Sequence, residues 1–125
     1  LTEEEKEIWE LDNSRAGELC DTLDKEVRHL LGEPKNSIIT PTRDLVDFCW
    51  MLEEAYSRDW EYLIVHGCVS FHHHIDWRMF ETNRRDGARS PGRMEHLPIA
   101  ACMALLNAIR GNDHWQLKNY MRKVK

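Results

Sequence analysis

The stretch Leu97–Arg110 (LPIAACMALLNAIR) leaves this chain the least freedom, because eleven of its fourteen residues are apolar and no face remains for water. A helix that is apolar all round has to be buried. Pro98 suits a first helical turn, where its missing N–H costs nothing, and Gly111 followed by Asn112 is the expected stop. Ala100, Ala104 and Ala108 repeat every four residues, so one side is smooth enough for another backbone to approach, within the chain or on a second copy. Ile99, Met103, Leu106 and Ile109 carry bulk elsewhere. The fold class read from this pattern is all-α: residues 1–125 form a single helical domain of about five helices around the central helix 97–110, and a homodimer is expected.

The flanking segments are read by apolar spacing. Thr2 with Glu5 is a capping box, and Ile8, Leu11, Ala16, Leu19, Leu23, Val27 and Leu30 then recur at helical steps until Gly32 and Pro34. Asp12, Asn13, Ser14 and Gly17 are poor helix formers, where a kink or break is expected. Thr40 before Pro41 marks a second helix to about Ser57, with Leu45, Phe48, Leu52 and Ala55 as its buried face and Cys49 and Tyr56 beside it. Trp60, Ile64, Cys68, Phe71, Ile75 and Met79 hold helical spacing over 60–83; the alternative is a strand in 62–71, where Ile64, Val65 and Val69 favour β structure. Without a second convincing strand to pair with it, helix is preferred. Residues 84–96 form a long basic loop, and Asn112 or Asp113 caps a last helix with Leu117, Tyr120, Met121 and Val124 on its apolar face.

At 125 residues with 42% apolar content, the chain can bury a core of its own. No run approaches the roughly 18 apolar residues of a membrane span, and the acidic start LTEEEKE is unlike a signal peptide. Beginning at Leu1 without a methionine, the chain reads as trimmed from something longer. Cys20, Cys49, Cys68 and Cys102 are scattered at apolar helical positions with no CxxC pair, which reads as four buried, reduced thiols in an intracellular protein, cytoplasmic or nuclear. The five tryptophans are assigned mainly to core or interface, with Trp50 and Trp77 away from the main stripes.

The net charge of -5 hides a division. Residues 1–31 hold ten acids against four bases, residues 32–83 nine against four, and residues 84–125 three against nine. The last third therefore faces a polyanion, or pairs with acids of its own chain or a partner. Arg84, Arg85, Arg89 and Arg93, helped by Lys118, Arg122, Lys123 and Lys125, supply guanidinium forks and ammonium groups suited to phosphate. The leading functional reading is a non-enzymatic domain that needs no cofactor and holds the phosphate backbone of RNA or DNA through these residues. A protein-interaction or dimerisation module is the alternative.

A metal-dependent phosphohydrolase ranks below both. Its weak candidates are His66, His73 and Asp76, which share one side of a helix, with His72 one turn before Asp76 and with His29, His96, Glu53 and Glu54 as possible further ligands. Three consecutive histidines, His72 to His74, diverge by about 100° each on a helix and cannot meet at one ion. Asp44, Asp47, Glu53 and Glu54 have carboxylate spacing, but the paired E-x-x-E and E-x-x-D motifs of all-α nucleotide pyrophosphohydrolases are missing. The chain contains no GxSxG, Walker loop, GxGxxG or HExxH.

Overall fold

A computed structural model describes residues 9–32, 38–65, 68–73, 79–82 and 96–123. Its elements run β1 (Trp9–Leu11), α1 (Asn13–Leu31), α2 (Leu45–Ser57), β2 (Trp60–Val65), β3 (Cys68–His73), β4 (Met79–Thr82), α3 (Leu97–Arg110), a 3-10 turn (Leu117–Tyr120) and β5 (Met121–Lys123). The all-α expectation is thereby corrected to a mixed α/β fold, which among the described residues has three helices, a three-stranded antiparallel meander β2-β3-β4 and a two-stranded antiparallel ribbon β1-β5.

The central helix stands where it was expected. Every residue of α3 from Ile99 to Ala108 is buried, with Pro98 in the first turn and Gly111 in the left-handed region closing the end through its N–H on the Asn107 carbonyl. One side of α3 packs on α1 and another on β3 and β4. Ala100, Ala104 and Ala108 lie inside this sandwich, so the smooth side serves close packing within the chain and offers no dimer seam.

The expected helix over 60–83 is corrected to a meander of three paired strands. Val69 and Phe71 are both fully buried although they stand two residues apart, which puts them about 200° apart on a helix and on one face of a strand. The register pairs Tyr62 with Phe71, Val65 with Cys68 and Phe71 with Phe80. Only residues 66 and 67 separate β2 from β3, and the sequence signal there is Gly67 between Ile64-Val65 and Val69. The supposed last helix is corrected too. Leu117 is buried on the 3-10 turn, and Met121, Arg122 and Lys123 pair with Leu11, Glu10 and Trp9.

Helix starts also differ from expectation. The breakers at 12–14 are the cap of α1: the Asp12 carboxylate accepts from the Ser14 N–H (3.1 Å) and hydroxyl (2.7 Å). These bonds, with Arg122 and Arg15 nearby, hold its carboxyl below the usual range. The capping box at Thr2 lies outside the described residues. α2 begins at Leu45 instead of at Pro41, because Asp44 caps it by accepting from the Asp47 N–H (3.0 Å). The Thr40 N–H in turn donates to Asp47 Oδ2 (2.8 Å), folding the preceding turn onto the helix.

Two polar side chains inside the core tie segments together. Asn107 on α3 donates to the Trp115 carbonyl (2.7 Å) and accepts from the Trp115 N–H (2.9 Å), which returns the chain toward β1. Asp24 on α1, only 1% exposed, accepts from the Thr42 N–H and hydroxyl, each at 2.9 Å, and clasps the turn that launches α2.

Candidate functional site

The residues first proposed to hold phosphate divide into two groups. Arg84, Arg85, Arg89, Arg93 and Lys125 lie outside the described residues. Lys118 is exposed on the 3-10 turn, Arg122 is exposed on β5, and Lys123 follows it on the same strand. Arg15 joins them from α1: its guanidinium lies 4.5 Å from the Tyr120 ring centroid and donates to the Asn119 carbonyl at 3.0 Å. Tyr120 also stacks on Trp115 at 6.1 Å, and Trp115 meets His114 edge-on at 5.1 Å. This corner is cationic, but acids answer it. Asp12 lies close enough to Arg122 to feel its charge, and Glu10 is the register partner of Arg122; farther along α1, Glu26 pairs with Arg110 of α3 at 2.7 Å.

The histidine reading loses its helix. His73 sits on β3 with its ring 4.7 Å from Trp60, edge-on, while His66, His74 and Asp76 lie outside the described residues. Consecutive strand residues point to opposite faces, so His72 and His73 diverge. Among the described residues no group of three His, Cys, Asp or Glu side chains can hold a metal ion. Three of the four carboxylates have other work: Asp44 caps α2, Asp47 accepts from the Thr40 N–H, and Glu54 pairs with Arg58 at 2.7 Å.

The cysteines split in a way spacing alone did not show. Cys20 and Cys102 are buried, whereas Cys49 is exposed on α2; no side-chain description exists for Cys68. Burial pushes the Cys102 thiol well up, so it stays protonated, with its sulfur 3.5 Å from that of Met51. Buried inert thiols of this kind are packing groups. Burial also raises the Asp24 carboxyl, against the lowering effect of its Thr42 bonds and of Arg43 and Arg28. The sequence signal for Asp24 was a charge on the apolar stripe of α1, between Leu23 and Val27.

Among the described residues, exposed large apolar side chains stand on β2 (Tyr62, Leu63) and, in greater number, on and just before α2. Nine of its thirteen residues are apolar, too many for one side. At about 100° per residue, Phe48, Met51, Leu52 and Ala55 point one way and are all buried. Leu45, Val46, Cys49, Glu53 and Tyr56 occupy a neighbouring arc of about 100° that begins where the buried face ends. That arc is open: Leu45 is 74% exposed, Val46 75% and Tyr56 66%, and Ile38, just before the capping turn, is 73% exposed. Leu45 is thus corrected from buried face to surface. Trp50 packs partly against the core, and Trp77 lies outside the described residues.

No protein-family model, no curated protein and no solved structure matches the chain. Among the described residues no helix is long and apolar enough to cross a membrane.

Proposed function

We propose that this chain is a non-enzymatic protein-docking module that presents the outer face of α2 to a partner. The observation that carries the reading is the run of Leu45, Val46, Cys49 and Tyr56 along one exposed arc, on a helix whose other side already packs in the core. Scattered surface apolar residues need no explanation, whereas a contiguous stripe of them marks a contact. Burying Leu45, Val46 and Ile38 against a partner would contribute roughly 1.5–3 kcal/mol each before the costs of association. The test uses Cys49 as a reporter in extract of the cells that make the protein. There its thiol should be shielded from maleimide, and Leu45→Ser with Val46→Ser should restore labelling. Labelling that ignores the double substitution would remove the docking reading.

A second reading keeps the phosphate-backbone function, supported by the +6 balance of residues 84–125 and by Lys118 and Arg122 standing exposed beside Arg15. It predicts that a labelled 20-mer RNA or DNA binds with a log-log salt slope of roughly -0.7 to -0.9 per phosphate contact. Absence of binding at about 50 mM salt, where such contacts are strongest, would end it.

A further inference from the structure

Resting on the docking reading, we propose that the occupant of the α2 face is an amphipathic helix with basic flanks. The apolar arc runs from Leu45 to Tyr56, about 16 Å at 1.5 Å per residue, which is the length of three helical turns. A partner helix laid along it would present anchors at i, i+4, i+7 and i+11. An extended strand has less to gain, because the backbone of α2 is hydrogen-bonded within the helix and offers no ladder.

Charge selects the flanks. Residues 38–65 carry six acids (Asp44, Asp47, Glu53, Glu54, Asp59, Glu61) and two bases, Arg43 and Arg58. Both bases are already engaged: Arg43 holds Asp21 and the Gly17 carbonyl, and Arg58 holds Glu54 and the Leu31 carbonyl. Glu53 lies within the apolar arc, exposed and without an ion pair among the described residues, and Asp59 is exposed at the far end. A partner therefore meets an apolar stripe set in net negative charge, which lysine or arginine flanks complement. A second copy docked through the same face meets the opposite situation, because a two-fold contact sets each acidic patch against its own image.

The probes are two synthetic 14-residue helical peptides with the same leucine face, one with lysine and one with glutamate at every other position. The lysine peptide should bind at least about tenfold tighter than the glutamate peptide, a gap of roughly 1.4 kcal/mol, and that gap should shrink in high salt. It should slow maleimide labelling of Cys49, and Glu53→Lys should narrow the preference. Equal affinity for the two peptides, binding that survives Leu45→Ser with Val46→Ser, or an unshielded Cys49 would each overturn the proposal. So would self-association of the chain that the same double substitution abolishes. If the lysine peptide fails while Cys49 remains shielded in cell extract, the helix is wrong and docking stands; if both fail, docking falls as well.

Discussion

Phe71→Ala is expected to lower stability by about 3–5 kcal/mol, a large share of the roughly 5–15 kcal/mol that holds an ordinary domain together. Phe71 is fully buried in the middle strand of the meander, with the Tyr62 ring 6.5 Å away across the β2 pairing and α3 packed against its strand. Removing its ring leaves a cavity that α3 cannot collapse into without losing its contact with α1, so the cost includes unfilled volume as well as lost burial. Val69→Ala should also be destabilising, which separates the strand from a helix: Val69 is fully buried two residues before Phe71, whereas the helical spacing over 60–83 leaves it off the core stripe. Urea unfolding of the two variants measures both effects. A loss below about 1 kcal/mol for Phe71→Ala would mean that this strand does not face the core.

Asp24 yields the second large effect, and its two substitutions should differ. Asp24→Ala leaves the Thr42 N–H and hydroxyl without their acceptor in a buried position, at about 1–3 kcal/mol for each group. Asp24→Asn keeps both bonds, because the amide oxygen can accept from the N–H and the amide nitrogen can donate to the hydroxyl oxygen. It also removes a charge that burial disfavours. The pH dependence follows from the raised carboxyl pKa: the folded chain holds this proton more tightly than the unfolded chain, whose value is near 3.8. The stabilisation is complete below that value and is lost as pH rises through the higher folded pKa. Asp24→Asn should therefore gain on the parent chain between acid and neutral pH. Urea midpoints of both chains across that range test this; a difference that does not change with pH would show that Asp24 titrates alike folded and unfolded.

The parts of this fold that could be read from the sequence are those fixed by local pattern. The all-apolar run and the Pro98 and Gly111 punctuation identify α3, and Leu19, Leu23, Val27 and Leu30 identify α1, whereas Leu11, read as part of the same helix, stands on β1. The meander was masked by a coincidence of periods. Residues 60, 64 and 68 are four apart, which keeps them on one side of a helix and equally on one face of a strand, so they cannot decide between the two. The deciding residues were Val69 beside Phe71 and the Gly67 link. β5 was illegible for another reason: Leu117, Tyr120 and Met121 have helical spacing, but the segment pairs with β1 more than a hundred residues away, and no local window contains that contact. On α2 the composition held the signal. Nine apolar residues among thirteen are more than one side can take: Phe48, Met51, Leu52 and Ala55 fill the buried side, and Leu45, although it borders Leu52 on the helix, is left on the surface with Val46 and Tyr56.

The rate of maleimide labelling at Cys49, compared between the isolated chain and the chain in extract of its own cells, bears most directly on whether α2 is built for a partner. Cys49 is exposed while Cys20 and Cys102 are buried, and labelling is read at Cys49 itself by peptide mapping. Occupation of the arc predicts labelling slowed by about tenfold or more in extract, the ratio expected where about nine sites in ten are filled. Equal rates in the two samples would contradict it and leave the apolar face of α2 without a partner.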